Sequence, residues 1–191
     1  PTRRSSDLTL AYLEKYWKSG LPDVKAYDEV ILTGCGSTYF LSIWAARLLQ
    51  RKTGVTCIPV PGSEIWYSGE DWIHRDRKTL FIAISRSGLT TETMHALDYF
   101  LRSGHGDALA VTCYSDSPLA KTAPKVIATT AGMEKSVAQT RSFSNMMWAL
   151  MLLANGAVPE SLPKQVQQAG KKMIADYHSG SRGLGSNPDL D

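Results

Sequence analysis

A chain of 191 residues, 43% hydrophobic and 20% charged, is long enough for one well-cored domain with extra segments and short for two. The net charge of +3 is small, and the densest basic run, Arg75-Asp76-Arg77-Lys78, is broken by an acid, so it reads as a solvated loop and not a nucleic-acid surface. No stretch reaches the ~18 apolar residues needed to span a membrane, and the opening Pro1-Thr2-Arg3-Arg4 does not read as a signal peptide.

The spacing predicts an amphipathic helix over 8–17, closed by Gly20-Leu21-Pro22. Residues 29–33 (EVILT) form a short apolar run before a glycine, hence a buried strand. A helix over 39–51 follows, with Phe40, Ile43, Trp44 and Leu48 at helical spacing and Thr53-Gly54 as its close. A second strand covers 56–60 and stops at Pro61-Gly62; a third covers 79–84 (TLFIAI) and leads into a helix over 91–102. Residues 107–112 (DALAVT) and 126–129 supply the fourth and fifth strands. A strongly apolar helix over 142–155 and an amphipathic one over 163–177 complete the reading. In the first of these, Phe143, Met146, Met147, Leu150 and Met151 form a core face or a dimer seam.

Continuously apolar strands alternating with helices indicate a parallel sheet covered on both faces. With right-handed crossovers this gives an α/β fold, a three-layer αβα sandwich on a five-stranded flavodoxin-like sheet, with ligands at the carboxyl ends of the strands. The expected organisation is an N-terminal helical segment over 1–25, the α/β domain over 26–158, and a C-terminal helix and linker over 159–191. A start without methionine and a loop-like tail over 181–188 suggest a piece of a longer protein. Cys35, Cys57 and Cys113, odd in number and lying in or beside strands, read as reduced core thiols of a cytoplasmic protein, not disulfides or metal ligands.

Three small-residue loops follow strands and carry the chemistry. Gly34-Cys35-Gly36-Ser37-Thr38-Tyr39 makes a tight turn into a helix N-terminus, a natural anion site. It fails the dinucleotide fingerprint, because the third glycine position holds Tyr39 and Glu64 lies beyond the strand tip. Ser85-Arg86-Ser87-Gly88-Leu89-Thr90 crowds hydroxyls onto one turn that opens the next helix. Capping by Thr90 or Thr91 explains one hydroxyl; the run S-x-S-G-x-T after a buried strand favours anion binding. The third loop, residues 134–143, says little alone.

Together the loops resemble the SIS (sugar isomerase) domain family, specifically the isomerase half of glucosamine-6-phosphate synthase and its relatives. The family's G-C-G-T-S-Y is matched by 34–39 and its S-Q-S-G-E-T-x-D-T by 85–93. Its E-x-x-V-A-S-T-K-x-F is matched by Glu134, Val137, Ala138, Gln139, Thr140, Arg141 and Phe143. Gly62-Ser63-Glu64 is similar to the A-S-E after the family's second strand. The resemblance implies that Ser85, Ser87 and Thr90 hold a sugar phosphate, with Arg86 beside them. It implies that Cys35, Gly36, Ser37, Thr38, Val137, Ala138 and Gln139 line the sugar. Arg86, Leu89, Gln139 and Arg141 depart from the pattern, and the pocket should be more electropositive than the synthase's.

The resemblance also implies a phosphorylated sugar or amino sugar as ligand, a second SIS domain beyond this chain, and a homodimer partner. Aldose–ketose chemistry needs a base for a proton next to a carbonyl and an acid for ring opening. In the family these groups come from the second domain or a neighbouring subunit, and no residue here matches them. Glu92 and Glu134 are candidate carboxylates, better read as solvated or capping. His74, His95, His105 and His178 share no catalytic spacing, and no metal cluster or cofactor is called for. The rival reading is a non-catalytic sugar-phosphate sensor module of a regulator, against which stands the lack of a basic recognition helix.

Overall fold

The computed structural model describes residues 20–135 and 138–155. The helices expected over 8–17 and 163–177, and Val137 of the third loop, lie outside the described residues. Strands β1 (Glu29–Gly34), β2 (Thr56–Pro61), β3 (Thr79–Ile84), β4 (Gly106–Thr112) and β5 (Lys125–Ala128) form one sheet in the order β2-β1-β3-β4-β5. Every neighbouring pair is parallel, in the flavodoxin-like order expected. Helices α1 (Ser37–Thr53), α2 (Gly62–Ser68), α3 (Thr91–Ser103), α4 (Pro118–Thr122) and α5 (Arg141–Asn155) connect and cover it.

β1 and β3 are buried along their whole lengths, which explains their unbroken apolar runs. β2 lies at an edge, and its prolines suit that place. Cys57 turns its N–H outward to the Gln50 side chain at 3.1 Å; Pro59 and Pro61, of the same parity, have no N–H to offer. The outer edge of β2 is therefore poor in donors for strand addition.

On one face of the sheet, Ile31, Phe81, Ala83, Ala108 and Ala110 pack against Ile65 of α2 and Ala96, Leu97 and Phe100 of α3. The Phe81 and Phe100 rings stack at 4.6 Å and 11°. The opposite face is covered by α1 and α5, which also pack on each other. In α5, Met146 and Leu150 of the expected apolar face are fully buried.

The phase of α1 corrects the sequence reading. Its inward residues are Leu41, Ser42, Ala45, Ala46 and Leu49, whereas Phe40 is 68% exposed and Trp44 36% exposed. Two apolar stripes compete on this helix, and the one with small residues wins because Ala45 and Ala46 admit close packing on the sheet. Helices α2 and α4, of 7 and 5 residues, are too short to display a period and were not expected.

At the amino end of β1, Glu29 is fully buried and still fully partnered. Arg77 donates to it at 2.9 Å, the Thr79 hydroxyl at 2.9 Å, and His74 lies 3.6 Å away. Removing one partner strands a buried carboxylate, which costs more than the pair contributes. Arg77→Met should lower stability by about 2 kcal/mol in urea unfolding, and Glu29→Gln in that background should restore part of the loss.

Candidate functional site

Parallel order places the carboxyl ends of the strands and the N-termini of α1, α3 and α5 at one edge. β1 and β3 are neighbours, Thr33 pairing with Ala83, so the first and second loops adjoin.

In the first loop, a Cβ on Gly34 would lie 2.7 Å from the backbone and hydroxyl of Thr38, so only glycine fits there. Thr38 is buried, and its hydroxyl both accepts from the Cys35 N–H at 3.0 Å and donates to the Cys35 carbonyl at 2.9 Å. It shapes the turn and leaves Cys35, Gly36 and Ser37 on the exposed side. Cys35 is thus not the core thiol expected; it sits just past the strand, outside the sheet's cover. Partial desolvation pushes its thiol pKa up, and the nearby Glu92 carboxylate pushes the same way, so it stays a thiol. Glu92, in the first turn of α3, is therefore within electrostatic reach of the first loop.

The second loop is built around Ser85, which is 1% exposed. Its hydroxyl oxygen lies 3.0 Å from that of Thr90 and accepts from the Gly88 N–H at 3.1 Å. Ser87 accepts from the Leu89 N–H at 3.2 Å. Thr90 occupies the N-cap position of α3, yet its side chain makes no cap hydrogen bond. The first-turn amides of α3 are left without a side-chain cap, and hydroxyls of Ser85, Ser87 and Thr90 stand beside them. Free amides at a helix N-terminus favour an anion.

The third loop holds a carboxylate in that same kind of place. Glu134 accepts from the backbone N–H groups of Thr140, Arg141 and Ser142 at 3.0, 3.2 and 3.0 Å, and from the hydroxyls of Thr140 and Ser142. The start of α5 is filled from within the chain. Of the two candidate carboxylates, Glu134 is committed to capping and Glu92 lies within electrostatic reach of Cys35. Gln139 presents a buried Oε1 without a hydrogen-bond partner among the described residues, as do the hydroxyls of Thr33 and Thr93. Cys113, at the tip of β4, is fully buried, and burial is the main reason its thiol pKa is raised. Arg86, Arg141 and Glu134 all act on it electrostatically, so the second and third loops converge around this residue.

Among the described residues, His74, His95 and His105 stay apart from the three loops' hydroxyls, and His178 lies outside the described residues. His95 stacks on Trp66 at 4.2 Å and 14°, one turn into α3. His74 and His105 line a polar cleft of about 780 Å³ with Glu70, Arg75, Tyr99 and Arg102, at the opposite edge of the sheet. Among the described residues no His, Cys, Asp and Glu group could hold a metal ion, and no helix is long and apolar enough to cross a membrane. Sequence reasoning missed Thr112 and Ser117, which touch the second loop from the β4–α4 turn.

Hydrogen bonds from Ser142 and Thr140 lower the pKa of Glu134 from 4.5 to about 2. A lowered folded-state pKa contributes stability that is complete above 4.5 and is lost as pH falls toward about 2. Glu134→Gln should therefore flatten the acid limb of stability across that window, read by denaturant titrations at stepped pH.

A model of the SIS domain matches residues 25–156. Glutamine–fructose-6-phosphate aminotransferase (isomerizing) of Campylobacter jejuni is 33% identical over 132 residues, covering 69% of this chain and 21% of that protein. The same enzyme of Symbiobacterium thermophilum is 35% identical over 136 residues, with the same 69% and 21% coverage. The chain thus spans about a fifth of the length of these relatives. Among solved structures, tagatose-6-phosphate ketose/aldose isomerase from Escherichia coli superposes with a TM-score of 0.67 at 20% identity, over 77% of this chain and 42% of that one. The C-terminal domain of the Francisella tularensis glucosamine-fructose-6-phosphate aminotransferase superposes with a TM-score of 0.60 at 20% identity, over 87% and 52%. The match over residues 25–156, most of the chain, establishes that this protein belongs to the SIS domain family.

Proposed function

We propose that this chain binds the phosphate of a phosphorylated sugar or amino sugar at the start of α3. In this reading it is the N-terminal SIS half of a sugar-phosphate isomerase, aminotransferase or deaminase. The observation that carries the reading is the hydroxyl cluster of Ser85, Ser87 and Thr90 beside an N-terminus without a side-chain cap. A dianionic phosphate accepts from such hydroxyls and amides without needing a lysine. Arg86 adds positive charge next to the cluster. The buried, unpartnered Oε1 of Gln139 suits a sugar hydroxyl donor, and Cys35, Gly36, Ser37 and Ala138 supply the remaining exposed lining. Thr38 acts behind them by holding the first turn in shape. Val137, which the resemblance adds to this wall, lies outside the described residues.

Isomerisation moves a proton between neighbouring carbons and opens the sugar ring, which calls for a base and an acid at the reacting carbons. Glu134 is spent on α5, and His74, His95 and His105 are engaged elsewhere. In the proposed reading this chain binds and orients the substrate, and groups beyond the described residues move the protons. The exposed Phe40 and Trp44 of α1 and Leu89 of the second loop offer apolar surface for a second SIS domain or a homodimer partner. The relatives are aminotransferases, which supports an enzyme over a regulator's sensor module. The domain spans 26–158 in this proposal, between an N-terminal segment over 1–25 and a linker over 159–191, in a cytoplasmic protein.

Thermal unfolding with fructose 6-phosphate, glucosamine 6-phosphate and tagatose 6-phosphate tests the claim. At about a hundred times its dissociation constant the right ligand should add roughly 2.7 kcal/mol, and the unphosphorylated sugars should add nothing. Ser85→Ala/Ser87→Ala should abolish the shift while still unfolding cooperatively. A folded wild-type chain that ignores every phosphosugar would refute the reading.

A further inference from the structure

We propose that the turn after β4 is a positioning element for the anion loop, acting through Thr112 and Ser117; this rests on the function proposed above. The carbonyl of Arg86 accepts two hydrogen bonds from this turn, from the Thr112 hydroxyl at 3.1 Å and the Cys113 N–H at 3.0 Å. The carbonyl of Gly88 accepts from the Leu119 N–H at 3.1 Å, at the start of α4. Ser117, the N-cap of α4, donates to the Tyr114 carbonyl at 2.8 Å and accepts from the Ala120 N–H at 3.3 Å. Its side chain fills the space beside Gly88, where an added Cβ would lie 2.2 Å from the serine oxygen.

The consequence for binding follows from peptide geometry. A planar trans peptide points its N–H opposite to its C=O. With the carbonyls of Arg86 and Gly88 drawn toward β4 and α4, the N–H groups of Ser87 and Leu89 are turned away from β4; the Leu89 N–H goes to the Ser87 hydroxyl at 3.2 Å, so the Ser87 N–H is the donor this turn orients. The same contacts remove two carbonyl dipoles from the place where negative charge would sit. Carbonyl oxygens facing a phosphate repel it, so fixing them elsewhere is part of making an anion site. Gly88 has φ +64° and no room for a side chain, so it lets the loop lie against Ser117 in this orientation. Thr112 is fully buried and its hydroxyl also accepts from the Tyr114 N–H at 3.3 Å, which fixes its rotamer. Neither Thr112 nor Ser117 needs to touch the ligand.

Thr112→Val keeps the shape and deletes the hydroxyl; Thr112→Ser keeps the hydroxyl. Calorimetric titration of fructose 6-phosphate and of inorganic phosphate into the full chain should show about tenfold weaker binding for Thr112→Val. Thr112→Ser should stay within about twofold of wild type, which a role in packing alone would not produce. Gly88→Ala, which collides with Ser117, should lose binding of both ligands. Amide exchange of residues 86–90 in the unliganded chain gives a second readout, about tenfold faster in Thr112→Val and unchanged in Thr112→Ser. Wild-type affinity in Thr112→Val would overturn the positioning role and leave the phosphate site standing. If wild type binds neither ligand, the functional reading falls instead, and the exchange rates alone decide the positioning claim: equal rates overturn it. Should Thr112→Val fail to fold, Ser117→Ala takes its place in the exchange measurement, where faster exchange supports the positioning role and equal rates overturn it.

Discussion

The site depends on a hydroxyl that does not do the job its position offers. Thr90 stands where a threonine would ordinarily accept from the amides of the helix it precedes, and it turns to Ser85 instead. The first turn of α3 is left with donors that water or a ligand must satisfy. The start of α5 shows the opposite solution, because Glu134 satisfies its amides with a built-in carboxylate. The start of α5 is closed by the chain's own anion and the start of α3 is not, and the proposed function puts a ligand's charge at α3.

The sheet converts that local chemistry into a site. β1 and β3 are adjacent, so a glycine turn and a hydroxyl turn open at the same edge. Ala45 and Ala46 let α1 approach the sheet closely, which leaves the bulky Phe40 and Trp44 outside. The proposed region of ligand binding and the buried ion pair are kept apart along the strands. Buried Glu29 and its partners sit at the amino end of β1, away from the loops at its carboxyl end.

Much of this was legible in the sequence. EVILT and TLFIAI announce central strands because burial on both faces leaves no room for polar alternation. The proximity of Ser85 and Thr90 could be read from five positions of spacing around a glycine. Other features could not be read, for physical reasons. The phase of α1 was ambiguous because that helix is apolar on two sides, and packing volume chose between them. Thr112 meets the Arg86 carbonyl across 26 positions of sequence, and only the pairing of β3 with β4 creates that contact. Cys35 and Cys113 each lie one residue past a strand, yet Cys35 is exposed and Cys113 buried, and that difference is set by the packing around the two loops, not by spacing. The role of Glu134 was open between catalysis and capping, and five hydrogen bonds to Thr140, Arg141 and Ser142 decide for capping.

A phosphate held at the start of α3 is tested most directly by titrating fructose 6-phosphate into the isotopically labelled chain and following amide chemical shifts. The largest changes should fall on Ser87 and on residues 90–93, with smaller ones in the 34–38 turn. Changes centred instead on the cleft of His74, Arg102 and His105, or no changes in a folded sample, would contradict a phosphate site at this helix start.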